Sequence, residues 1–238
     1  MIGPTDHYPK NERQRSLVTM DVEFWLERWH RREIGWHRNE INAHLQEFWP
    51  SLALDRNACV FVPLCGKTLD LIWLVGQGHR VIGVELAEVA VREIFAEQGL
   101  TPTVTEMGPF RRYQLDELVI LCGDFFDLKP EHLNQVDAVF DRASLIALPP
   151  EMRRRYADKM ASLMPSPVPT LLVSLEYDQK TRPGPPFAVH RDEVETLFGD
   201  RYRIEPLARL DVLAESPNNL KRGLTSLHEQ AYRLSPRV

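Results

Sequence analysis

The chain has 238 residues, 43% of them hydrophobic and 26% charged, enough apolar mass for one sizeable core in a single domain. Its formal net charge of −5 argues against a partner with a phosphate backbone, and no run of about eighteen apolar residues reads as a membrane span. The three cysteines, Cys59, Cys65 and Cys122, sit in or beside apolar runs without metal-ligand spacing. They read as reduced thiols of a cytoplasmic protein, expected to be a monomer that engages neither nucleic acid nor membrane.

Residues 1–19 carry Pro4, Pro9 and scattered charges without periodicity and read as a loose leader; residues 20–238 read as one domain. An amphipathic stretch from Asp21 to about Arg32, with Asp21 as its cap, holds Phe24, Trp25 and Trp29. A second helix is expected from about Asn39 to Phe48, stopped by Pro50. Alternation then begins: a strand over 58–64, a helix over 67–77 ended by Gly76 and Gly78, a strand over 80–85, and a helix over 87–98 ended by Gly99. Residues 101–117 suit a short hairpin, because Phe110 and Tyr113 flank a basic pair.

A strand over 118–122 runs into Gly123 and Asp124, and another over 136–141 ends near Arg142. A helix over 150–164, an apolar strand over 169–176, a rigid 183–186 loop, a helix over 190–198 and closing strands over 202–213 and 225–234 complete the chain. The pattern predicts an α/β fold, a doubly wound and mostly parallel sheet of seven strands with helices on both faces and an antiparallel pair at one edge.

The turn Val62-Pro-Leu-Cys-Gly-Lys67 follows the first of these strands, and Glu85 closes the next. Strand, turn, helix and strand with a terminal acid make the layout of a nucleotide half-site, in which the acid takes a pair of ribose hydroxyls. Gly66-Lys67-Thr68 imitates a P-loop, but the position five residues earlier is Phe61 rather than glycine, and Pro63 removes an amide donor. A dinucleotide fingerprint needs three glycines where this turn has one. The ligand that fits is an adenosine without phosphates, carrying a neutral or cationic tail, and S-adenosylmethionine is such a compound. Glu85, Asp124 and Asp141 fall at the carboxyl ends of successive strands, the edge along which open α/β sheets bind ligands.

From about Asp21 to Leu234 the chain resembles the thiopurine S-methyltransferase family in its bacterial form. The resemblance rests on Phe24-Trp-Leu-Glu-Arg-Trp29 with Gly35-Trp-His37, on Val62-Pro-Leu-Cys-Gly-Lys67, on Gly78-His-Arg-Val-Ile-Gly-Val-Glu85, on Phe140-Asp-Arg-Ala-Ser-Leu145 and on Pro183-Gly-Pro-Pro-Phe187. It implies a Rossmann-like class I methyltransferase fold with an N-terminal helical lid, and methyl transfer from S-adenosylmethionine to sulfur. Cofactor contacts carry over to Trp29, Leu64, Glu85, Asp124, Phe125 and Arg142, and the acceptor side to Trp36 with the Pro185-Pro186 loop beside it. An arginine that eukaryotic members place near the acceptor falls here on Asn218 or its neighbours, with Arg222 close by.

Trp25, Trp29 and Trp36 lie at i, i+4 and i+11. They are either core packing or an aromatic flap over a sulfonium, and their position ahead of the first strand favours the flap. Arg142 reads either as a cofactor or acceptor contact or as an ion pair with Asp141 or Glu176. Cys65 reads as a small residue that fits its turn. A thiolate is already a strong nucleophile, so no catalytic base and no metal is assigned; His37 and His190 read as loop or cap residues rather than proton acceptors. The activity expected is S-methylation of aromatic and heterocyclic thiols, extending to selenium and tellurium compounds. The alternative is a catalytically silent module that only senses S-adenosylmethionine.

Overall fold

The structure, a computed structural model, describes residues 22–133, 135–214 and 224–237. Residues 1–19, the Asp21 cap, Asn218 and Arg222 lie outside the described residues.

Helix α1 (Val22–His30) and helix α2 (Ala43–Phe48) precede the sheet. The order is then β1 (Cys59–Val62), α3 (Asp70–Gly76), β2 (Arg80–Glu85), α4 (Glu88–Glu97), β3 (Thr103–Met107), β4 (Phe110–Leu115) and β5 (Leu118–Cys122). It continues with β6 (Ala138–Arg142), α5 (Ser144–Ala147), α6 (Pro150–Leu163), β7 (Thr170–Glu176), α7 (Arg191–Phe198), β8 (Tyr202–Asp211) and β9 (His228–Pro236).

Among the described residues the strands form one sheet in the order β3-β4-β5-β2-β1-β6-β7-β9-β8. The pairs β5–β2, β2–β1, β1–β6 and β6–β7 are parallel, and the β8–β9 pair is antiparallel, as the sequence pattern predicts. The strand count differs from the seven expected. The 101–117 hairpin does not stand apart: β4 pairs antiparallel with β5, so β3 and β4 extend the same sheet to nine.

β1 shows why its sequence is a continuous apolar run. Side chains alternate across a strand, and here Phe61 enters one core layer while Val60 and Val62 enter the other. Both faces are covered by helices, so both need apolar residues; each such side chain contributes about 1.5–3 kcal/mol on burial. α4 presents Ala90, Val91, Ile94 and Phe95 to the sheet at helical spacing.

Two helices start later than their periodicity suggests, and a shared set of hydrogen bonds explains both. Asn42 caps α2 by accepting the Leu45 N–H at 3.1 Å, and its own N–H donates to Asp70 Oδ1 at 2.8 Å. Asp70 opens α3, and its Oδ2 accepts from the Thr68 hydroxyl at 2.8 Å. The 39–42 and 67–69 segments are thereby drawn out of helix to meet each other.

The crossing from β1 to β2 on one side and to β6 on the other opens a crevice at the carboxyl ends of these strands. Trp29 of α1 packs with Ala87, the N-cap residue of α4, and with Ala90 in its first turn, forming a cluster separate from the two main core layers. Arg32 adds an ion pair to Glu93 at 3.0 Å.

Candidate active site

The crevice is a cavity of ≈ 320 Å³. Trp29, Trp36, Leu64, Glu85, Asp124, Phe125 and Arg142, the residues singled out in the sequence, all line it, together with Trp25, Pro185 and Pro186.

The floor is the β1–α3 turn. Leu64 and Gly66 both take left-handed backbone angles, φ +45° and +55°. A side chain costs strain at such an angle, and Leu64 accepts it while bordering the cavity. At Gly66 a Cβ would lie 3.4 Å from the Trp29 ring, so glycine lets the indole settle against the turn. Cys65 is 6% exposed, and its sulfur occupies the space that a Cβ on Gly83 would need, 2.8 Å away. Burial holds the pKa of its thiol well above the ordinary range, which disfavours the thiolate and fits a packing role.

Glu85 is 7% exposed and closes the turn from the opposite side. Its Oε2 accepts the Gly66 N–H and its Oε1 the Ala87 N–H, both at 2.8 Å. Burial raises the pKa of this carboxyl, against the opposing pull of the Ala87, Gly66 and Leu86 amides. Each oxygen has a second lone pair for a ligand hydroxyl. Lys67 lines the same wall, but its ammonium is bound by Glu93 at 2.9 Å and Glu97 at 2.5 Å on α4, unlike a phosphate-gripping lysine.

At the far end, Asp124 caps a short 3-10 turn by accepting the Phe126 N–H at 2.8 Å. Phe125 stacks on Tyr156 of α6 with centroids 4.9 Å apart. The Tyr156 hydroxyl donates to Asp141 Oδ2 at 2.8 Å, and Ser144 lies close to the same carboxylate. Burial pushes the Asp141 carboxyl up to about 6, against the hydrogen bonds that favour its charge.

This shift has a sign that can be tested. A raised pKa means that the folded state binds the proton more tightly than the unfolded chain, whose aspartate titrates near pH ~3.9. The resulting stability is fully present below about pH 4 and is lost as pH rises through about 6. Asp141→Asn, which cannot ionise, should therefore gain on the native protein by about 2–3 kcal/mol between pH 4 and 7, read by chemical denaturation at each pH. A pH-independent difference would contradict the assignment.

Arg142 does not pair with Asp141 or Glu176. Its guanidinium lies 4.0 Å from Asp70 Oδ2, whereas Asp141 is bound by Tyr156 and Glu176 by Arg209 at 3.1 Å. The following residue, Ala143, is left-handed with φ +71°, which turns the chain across the cavity before α5. The Tyr177 hydroxyl donates to Pro186 O at 2.6 Å and fixes the 183–187 loop, and Asp178 caps the turn that follows it. His190 is the N-cap residue of α7.

The aromatic wall forms although the helix that starts it stops at His30. The chain turns back so that Trp36 meets Trp25 edge-on at 5.3 Å and Trp29 at 6.1 Å. Sequence reasoning missed Ile146, Met152 and Arg155, which also line the cavity. Met152 and Arg155 lie on the helix that follows Pro149-Pro150, at i and i+3, and that shared face was their one available signal. Among the described residues no group of three or more His, Cys, Asp or Glu side chains is placed to hold a metal ion.

The sheet order, the turn without a phosphate nest and the carboxylate closing the second strand have the layout of a Rossmann-like methyltransferase fold. The fold is shared with a methyltransferase from Anabaena variabilis (14% identity, TM-score 0.57, 91% of this chain and 95% of that one). It is shared as well with the 1,6-didemethyltoxoflavin-N1-methyltransferase of Burkholderia thailandensis (16% identity, TM-score 0.57, 90% and 87%), solved with S-adenosylhomocysteine bound. Residues 20–237 match the thiopurine S-methyltransferase family, and the chain belongs to it. Relatives named thiopurine S-methyltransferase include those of Pseudomonas fluorescens strain Pf0-1 (48% identity over 90% of this chain and 99% of that one) and Methylococcus capsulatus (45%, 90% and 96%).

Proposed function

We propose that the protein methylates the sulfur of aromatic and heterocyclic thiols, thiopurines among them, and that soft selenium and tellurium anions enter the same pocket. The observation that carries this reading is a single cavity joining a carboxylate-closed turn to an aromatic wall of Trp25, Trp29 and Trp36. In this reading Glu85 takes the ribose hydroxyls, Asp124 and Phe125 border the adenine, and Leu64, Trp29 and Arg142 surround the methionine end. Trp36, Pro185 and Pro186 flank the acceptor. The name shared by the relatives supports the thiol as acceptor.

When bound, the sulfonium donor supplies an electrophilic methyl group. The protein's part is to align an incoming sulfur with it and to exclude water, and such positioning contributes about 7–11 kcal/mol to a displacement. The indole faces add attraction for the cation of about 0.5–2 kcal/mol.

Incubation with S-adenosylmethionine and a panel of thiols, selenite and tellurite should yield methylated products detectable by mass spectrometry. Cofactor binding with no product from any member of the panel would leave the silent sensing module as the correct description.

A further inference from the structure

The sequence leaves His37 as a loop residue, but the structure puts it on the cavity wall beside Trp36. Its ring Nε2 lies 2.9 Å from Asn39 Oδ1, and its backbone N–H donates to Ile34 O at 2.8 Å. An amide oxygen only accepts, so Nε2 carries the hydrogen and Nδ1 keeps its lone pair. Nδ1 has no hydrogen bond of its own among the described residues. Burial, the Lys67 ammonium and, more weakly, Arg142 hold the imidazole below its ordinary pKa, against the Asn39 bond and the Glu97 charge. The lowered pKa favours the neutral form of the ring, with Nδ1 as its free base.

We propose that His37 is the general base for acceptors that reach the cavity as neutral thiols, an inference that rests on the thiol methyltransferase reading above. Nδ1 takes the S–H proton, and the sulfur lone pair forms the new S–CH3 bond as the donor's C–S⁺ bond breaks. The products are a thioether, S-adenosylhomocysteine and an imidazolium that returns its proton to water. Thiols already ionised need no such step, so the residue divides acceptors by acidity. It widens the substrate range toward weakly acidic thiols.

The test compares two aromatic thiols at pH 7, one ionising above about pH 8 and one below about pH 5. In His37→Gln, kcat/KM for the weakly acidic thiol should fall about tenfold or more, toward the rate its small thiolate fraction at pH 7 sustains, while the acidic one changes by less than about threefold. The calorimetric Kd for S-adenosylmethionine should stay the same. Equal losses for both thiols, or no loss for the first, overturn the base with the thiol reading intact. A wild-type protein that methylates neither thiol overturns both. Should the variant fail to fold, imidazole ¹⁵N NMR of the wild-type protein decides: the hydrogen on Nε2 at pH 7 supports the assignment, and a hydrogen on Nδ1 or a charged ring refutes it.

Discussion

Arg153→Met is expected to lower the unfolding free energy by about 2–4 kcal/mol, a large loss for a helix residue outside the cavity. Arg153 is 1% exposed. Its Nε donates to the Leu145 and Leu148 carbonyls at 3.1 and 2.9 Å, and its Nη1 to both oxygens of Glu193 at 2.7 and 2.6 Å. The guanidinium also lies 5.7 Å from the Phe187 ring centroid. One side chain thus ties α5, α7 and the 183–187 loop together. Methionine fills much of the volume but leaves two carbonyls and a partly buried carboxylate unanswered. Because Ile146, Ala147 and Leu148 line the cavity, the thiol KM should rise, while the Kd for S-adenosylmethionine stays close to native. Urea midpoints and the KM-against-Kd split measure the two effects, and an unchanged midpoint would show that Arg153 is dispensable.

Glu85→Ala should weaken S-adenosylmethionine binding by about 1–3 kcal/mol, roughly 5- to 150-fold. The loss has two sources. A ligand's hydroxyl pair loses its acceptor, and the Gly66 and Ala87 amides lose theirs, so the turn itself loosens. Glu85→Gln separates them: its side-chain oxygen still accepts one amide, whereas its NH2 group meets the other donor and repels it. Titration calorimetry should place Gln between native and Ala. Identical affinities for all three proteins would remove Glu85 from the binding site.

How much of this was legible in the sequence varies with the kind of interaction. β2 and β5 fall where the apolar runs and their flanking turns place them, because strands buried on both faces leave a continuous signature. The starts of α2 and α3 did not, since Asn42 and Asp70 bond each other's segments across 28 residues and no local pattern records that. Nor does a hairpin announce whether it stands alone, and β4 reveals its partner only through pairing with β5. In the site, Glu85 stood out because a strand end has a fixed place in this kind of sheet, whereas Leu64 was named only through the family resemblance. Arg155 and Met152 were not readable, because which face of α6 meets the cavity is decided by the packing of Tyr156 and Met160 into the core.

The separate docking of α1 has a consequence for turnover. Trp29 rests on Ala87, Ala90 and the Gly66 turn, with Leu26, Ile34, Trp36 and Val89 packed around them, in a cluster apart from the two main core layers. Peeling away of this helix, with the sheet intact, would open the cavity wall for a spent donor to leave. Amide deuteration across 22–36 should accordingly be faster than in β1 and β2 in the free protein, and should slow once S-adenosylhomocysteine is added.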